Sequence, residues 1–224
     1  MRVKEYSLRE RKHAKTKIAI MNAFIQRLEK TRFDDISIRQ ICKSVEVSQG
    51  TFFNYFPEKI DIINYYMNLM FLKVVAKARK DVPSGQYIPL INAIFVRMAE
   101  ESLNYNNIVY QVISLMIVQR EKPKTVPISN LEKQIFFPGF KGIENIQVML
   151  IDDYLKDCLI GAVNSGELPK DIKIDDVQIS LVTILGGTLL AAKFSAIKNR
   201  SYHYIRQLQF LWSGLGVKQT MRAK

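Results

Sequence analysis

Apolar positions recur at three- and four-residue steps along most of the chain, so the sequence predicts helices almost throughout. Ile18, Met21, Ile25 and Leu28 form one stripe on a helix over about residues 8–30. Ser37 is a good N-cap for a short second helix, with Gln40 three residues on to complete a capping box. Ile38, Ile41 and Cys42 face inward from it. A third helix opens at Ser48, and Phe52, Phe53, Tyr55 and Phe56 follow before Pro57 ends it or opens the next. The stripe Ile60, Ile63, Met67, Met70 and Val74 predicts a long helix over 58–79. Two more are expected over 88–104 and 106–120, with loops at 81–85, 121–127 and 138–142. A helix over 143–164 is expected to end at Gly166 as its C-cap. The last two carry the stripes Ile179, Val182, Leu185, Leu189, Ala192, Ala196 and Ile205, Leu208, Leu211, Leu215. The fold class is therefore all-α.

The second and third helices are short and joined by Ser44 to Val47, the layout of a helix-turn-helix. In that motif the second helix enters the major groove and its N-terminal residues meet base edges. Ser48, Gln49 and Thr51 are hydrogen-bonding groups at that end; Gln49 can pair with adenine, and Thr51 can offer a hydroxyl or a methyl to thymine. Gly50 lets the backbone come close, and free N–H groups at a helix start attract phosphate. Tyr55 and Lys59 suit phosphate contacts, which position a protein without reading sequence. The same pieces also occur in three-helix domains that bind no DNA.

Charge sharpens the picture. The 224 residues hold 33 Lys+Arg against 21 Asp+Glu, a net +12, which favours a polyanionic partner. Half of that excess lies in residues 1–60, densest at Arg9, Arg11, Lys12, Lys15 and Lys17. Cys42 and Cys158 are the only cysteines, so no disulfide framework or thiolate cluster can be built. His13 and His203 are the only histidines, so one chain cannot make a three-histidine site. The first 20 residues are charged and lack a secretory apolar run, so the expected compartment is the cytoplasm, with no membrane partner. The longest uncharged run, 102–119, contains five Asn and Gln and reads as a core helix.

Two stretches carry a resemblance: Phe33-Asp34-Asp35-Ile36-Ser37-Ile38-Arg39-Gln40-Ile41-Cys42, and Val47-Ser48-Gln49-Gly50-Thr51-Phe52-Phe53-Asn54-Tyr55-Phe56-Pro57-Glu58-Lys59. With them, residues 12–63 resemble the N-terminal domain of the TetR family of one-component transcriptional regulators. The resemblance implies a helix-turn-helix DNA-binding domain at 1–57 and a helical effector-binding and dimerisation domain at 58–224. It also implies a homodimer, a palindromic double-stranded DNA operator, and a small molecule that releases it. Gln49, Thr51 and Phe53 then fall in the base-reading part; Ser37, Tyr55 and Lys59 fall where phosphate is commonly held. The chain departs from many members by having Val45-Glu46 in the turn where they have Ala-Gly, and Phe53 where they have Tyr. The run from Gly161 to Pro169 extends the resemblance more weakly.

An effector pocket is expected among the middle helices. Candidate walls are Met67, Phe71, Phe95, Met98 and Tyr105, with Tyr110, Ile113, Met116, Met149, Tyr154 and Cys158. Such a lining suits an apolar or amphipathic molecule, and Lys73, Lys77, Arg97 or Arg120 can meet an acidic group on it. The resemblance places the last two helices at the dimer interface, through Val182, Leu185, Gly186, Leu189, Ile205, Leu208, Leu211 and Trp212. An intramolecular helix pair would produce the same stripes. Nothing in the sequence suggests an enzyme, a metal or a cofactor: Cys158 has no neighbouring His, and Asp175-Asp176 suit a helix start. The competing reading is a helical ligand- or protein-binding module whose helix-turn-helix no longer reads sequence.

Overall fold

The computed structural model describes residues 6–104, 106–119, 123–195, 197 and 199–217. Its described residues form ten α-helices and two single 3-10 turns, so the chain is all-α. Contacts divide it into two compact units.

The first unit comprises residues 1–73 and 105–150. It holds α1 (Leu8–Leu28), α2 (Ile38–Ser44), α3 (Gln49–Tyr55), the first two-thirds of α4 (Lys59–Asp81), α6 (Asn106–Gln119) and α7 (Asn130–Phe136). α1 starts in a reciprocal capping box: Glu10 N–H donates to Ser7 Oγ, and Ser7 N–H donates to Glu10 Oε2. Its buried stripe includes Ile18, Met21, Ile25 and Leu28. α7 falls between the expected loops at 121–127 and 138–142, where the sequence pattern placed no element. It is seven residues long, too short for a clear apolar period, but Ser129 and Glu132 form a second capping box at its start.

The second unit comprises 74–104 and 151–224. Here α5 (Tyr87–Asn104), α8 (Ile151–Asn164), α9 (Ile174–Phe194) and α10 (Arg200–Gly214) pack together, and the end of α4 is tied to α5 through Lys77–Glu101 and to α8 through Arg79–Tyr154. α8 starts eight residues later than the spacing predicts. Residues 143–145 make one 3-10 turn, the chain runs on without helix, and Asp152 and Asp153 then occupy the first turn of α8. Carboxylates there favour the positive end of the helix dipole. Asp175 and Asp176 do the same for α9. Gly166 (φ 79°) closes α8, with Glu167 N–H returning to Ala162 O. α8 approaches α5 closely at Gly161, where a Cβ would run into the Tyr87 ring.

α9 is also long and apolar enough to cross a membrane, by length and composition. One side of it buries Val177, Leu181, Leu185, Thr188 and Leu189, and its packing partners are α8 and α10.

Candidate nucleic-acid interface

α2, a four-residue turn and α3 form the helix-turn-helix. Ser37 Oγ accepts from Gln40 N–H at 3.4 Å, one half of the expected capping box. Ser48 Oγ accepts from Thr51 N–H at 3.0 Å and lies 2.9 Å from Thr51 Oγ1, so the start of α3 is fixed by its own side chains. Ile41, Cys42, Phe52 and Phe56 are buried and hold the two helices to the rest of the unit. Ser48, Gln49, Gly50 and Phe53 are exposed and Thr51 is half-buried. One end of α3 is thus anchored by aromatic rings while its N-terminal end stays open.

The turn departs from simple expectation in its backbone. Glu46 has φ 56°, the only positive φ at a non-glycine among the described residues. The left-handed conformation that Gly would take at little steric cost is imposed on a glutamate. Its carboxylate is exposed beside the start of α3.

Two of the expected phosphate contacts have internal partners. Lys59 Nζ donates to Phe33 O and Asp34 O at 3.3 and 3.1 Å and lies 5.5 Å from the Phe33 ring centre. It therefore braces the segment between α1 and α2. Tyr55 packs on the His13 ring of α1, centroids 4.6 Å apart and tilted by 45°. Lys17, counted with the basic run, points inward. Its ammonium sits 3.1 Å from Glu132, 4.3 Å from the Tyr65 ring centre and 3.4 Å from Pro127 O.

The α1–α2 segment is held by α6 as well, which the sequence did not reveal. Gln111 accepts from Phe33 N–H and donates to Leu28 O and Thr31 O, and Asn107 donates to Glu29 O. These amides satisfy carbonyls left open at the end of α1. No local signal distinguishes Gln111 from any other glutamine on a helix, because its partners lie about 80 residues away.

The candidate pocket residues are divided between the units. Met67, Phe71, Tyr110, Ile113, Met116 and Met149 belong to the first; Phe95, Met98, Tyr154 and Cys158 to the second; Tyr105 and Arg120 lie outside the described residues. Tyr154 accepts from Arg79 Nε at 2.8 Å, and Phe95 packs edge-on against Tyr204. Burial pushes the Cys158 thiol up to about 12, which suits an inert core cysteine. Lys77 pairs with Glu101, and Arg97 with Asp81 and Glu100. A groove of about 220 Å3 on the first unit is lined instead by Asn22, Gln26, Glu29, Tyr66, Lys73 and Phe136, among others. Among the described residues, no three of His, Cys, Asp and Glu gather as metal ligands.

In the last helices, Leu185, Leu189, Leu208 and Trp212 are buried within the chain's own second unit. Trp212 Nε1 donates to Asn92 Oδ1 at 2.9 Å, and Tyr204 O–H donates to Leu185 O. A helical stripe does not say which neighbour covers it, and here α5 and α8 do. Of the expected set, Val182 is exposed and Gly186, Ile205 and Leu211 are half-buried. A second apolar row lies outward on α9: Ile179, Val182, Leu190 and Phe194, with open space over Gly186 and Gly187. Phe210 of α10 is also outward.

No protein-family model matches the sequence. The chain is 23% identical over 108 residues to an uncharacterised helix-turn-helix transcriptional regulator, YuxN, of Bacillus subtilis. That match covers 46% of this chain and only 34% of the curated relative. Among solved structures, FadR of Thermus thermophilus, a TetR-family repressor in complex with lauroyl-CoA, superposes with a TM-score of 0.63 at 17% identity, covering 93% of this chain and 99% of that one. A TetR-family regulator from Rhodococcus sp. gives 0.63 at 9% identity, covering 89% and 98%. FadR of Bacillus halodurans, a fatty acid degradation regulator, gives 0.59 at 14%, covering 96% and 100%. The chain has the fold of TetR-family transcription regulators.

Proposed function

We propose that this chain is a ligand-responsive transcriptional regulator of the TetR family, a repressor that binds a palindromic operator as a homodimer. Residues 1–57 read DNA, and residues 58–224 bind the effector and pair the subunits. The observation that carries this reading is the α2–turn–α3 geometry. Phe52 and Phe56 bury one side of α3, while Ser48, Gln49 and Gly50 are left open at its N-terminal end. That is the end from which a recognition helix meets base edges. The net +12 and the exposed Arg9, Arg11, Lys12 and Lys15 supply the electrostatic attraction to phosphate.

The exposed row Ile179, Val182, Leu190 and Phe194 supports dimerisation, because such a row is costly in water and glycines beside it allow close helix approach. Two recognition helices can then address half-sites about 34–36 Å apart. The effector is a small apolar or amphipathic molecule. Lauroyl-CoA, bound by the Thermus thermophilus protein, is amphipathic and is the first compound to test. Release requires only that the effector bind one conformation better than the other. Tyr65, Gln111, Asn107 and Glu132, all within 58–224, stand around α1 and give such a change a physical route to the DNA-binding helices.

The test is to select fragments of the source genome with purified protein at about 150 mM salt and to footprint the best one. An inverted repeat with centres one helical turn apart supports the reading. Weak binding without sequence preference, lost on raising salt, would overturn it in favour of a helical binding module.

A further inference from the structure

We propose that His13 is a DNA contact: its ring, packed against Tyr55, meets one phosphate in each half-site, and operator binding is tighter at about pH 6 than at about pH 8. The proposal rests on the DNA-reading assignment and adds a residue and a condition to it.

Three observations converge on this ring. His13 is exposed on α1, one turn from the exposed Arg9. Its ring packs at 4.6 Å on Tyr55, a half-buried side chain of α3. The two rings are tilted by 45°, and this packing holds the imidazole in place before DNA arrives. And among the described residues His13 has no carboxylate partner, so phosphate is the anion that its charge can serve.

The surrounding charges fit that role. Within a turn on α1 stand Arg9, Glu10, Arg11, Lys12, Lys15 and Lys17; Glu10 accepts from Ser7, and Lys17 is turned to Glu132 of α7. Also on α7, Lys133 donates to Ile146 O. α3 has no ionisable residue besides Tyr55, and α6 none besides Tyr110. α2 contributes Arg39 and Lys43, both exposed. At the start of α4, Asp61 accepts from Glu58 N–H, and Lys59 is bound to the Phe33 and Asp34 carbonyls.

The composition makes the test clean. The chain has two histidines, His13 and His203, and burial raises both cysteine thiols. Histidine is the side chain whose charge ordinarily changes between about pH 5 and 8. An α-amino group ordinarily titrates at about 7.7–8.0, so a substitution must decide.

Fluorescence anisotropy is measured on the selected genomic fragment and on a random duplex, at about pH 6 and about pH 8, each over a salt series. Wild type is expected to bind both DNAs roughly three- to thirtyfold tighter at the lower pH. Its log–log salt slope on the selected fragment should steepen by about 1.8 there, two phosphates at about 0.9 each. His13→Gln should remove the pH ratio, His203→Gln should keep it, and His13→Lys should bind tightly at both pH values. Thermal unfolding is followed for every variant, and His13→Lys gives a second, charge-retaining route to the answer.

A His13→Gln protein that is equally weakened at both pH values, with the ratio intact, would make the ring merely structural and overturn the proposal. So would a pH ratio that disappears in His203→Gln. Wild type that binds the fragment equally at both pH values overturns this contact while the DNA reading stands. No binding at either pH overturns both.

Discussion

Lys17 and Glu132 form an ion pair of 3.1 Å in which the lysine side chain is 15% exposed and the glutamate 5%. The pair joins α1 to the start of α7, and Tyr65 of α4 donates to the same carboxylate at 3.0 Å. A residue that belongs by sequence to the basic run is therefore a structural tie. Lys17→Met leaves a buried carboxylate without its cation and should cost about 3–5 kcal/mol. The double variant Lys17→Met/Glu132→Gln should recover much of that loss. Urea unfolding of the three proteins checks this. The salt slope of DNA binding by folded Lys17→Met should match wild type.

The same carboxylate predicts an acid response. Burial alone would raise the Glu132 pKa; the Ser129 backbone N–H and the Lys17 ammonium outweigh it and hold the group below its ordinary value. A depressed carboxyl contributes stability that is complete above its unfolded pKa, about 4.3. That contribution is lost as pH falls through the lower folded value. Unfolding free energies below about pH 4.3 should fall less steeply in Glu132→Gln than in wild type, measured by urea titration at each pH.

Glu46 predicts a variant better than wild type. A non-glycine residue in the left-handed region costs roughly 1–2 kcal/mol, and the extra freedom of Gly when unfolded offsets part of the relief. Glu46→Gly should stabilise the fold by about 0.5–1 kcal/mol. It also removes a carboxylate beside α3, so DNA affinity should rise. A thermal melt and one binding isotherm decide both; a lower melting temperature would contradict the strain argument.

The contacts of α3 should separate by role. Gln49→Ala or Thr51→Ala should change the ranking of operator variants, each base contact being worth about 1–3 kcal/mol. Tyr55→Phe should weaken binding to every sequence alike. Lys59→Ala should do something else: with two backbone carbonyls losing their donor, it should destabilise the fold by about 1.5–3 kcal/mol before it alters sequence preference. Selection on a randomised operator library, paired with melts, separates these outcomes.

The outward face of α9 makes a prediction about assembly. Leu190→Glu and Phe194→Glu put charges on exposed positions, so the isolated chain should keep its helicity. Sedimentation should shift from dimer to monomer, and operator affinity should fall with it. Trp212→Ala, by contrast, should unfold the second unit, at a cost of about 3–5 kcal/mol, because that ring is fully buried within one chain.

Most of the local structure was legible along the chain. Three- and four-residue apolar spacing placed α1, α4, α5 and α6 within a few residues and marked α9 and α10 by their stripes, because a helix must bury one stripe wherever it packs. Ser37, Ser48 and Gly166 marked helix ends because capping is local chemistry. The helix-turn-helix and the residues at its open end were legible for the same reason. α7 and the late start of α8 were not, since seven residues carry little period and the capping box at Ser129 was the only signal.

Which neighbour each side chain meets depends instead on how the helices pack. Periodicity says that Leu208 and Trp212 are covered, but not that α5 of the same chain supplies the Asn92 partner of Trp212. It says that Lys17 and Lys59 are charged, but not that Glu132 and two backbone carbonyls claim them. It says nothing of Gln111, whose bonds close the end of α1, or of His13 resting on Tyr55. These contacts join residues distant along the chain. Their energies depend on desolvation and orientation at the meeting point, which no single segment encodes.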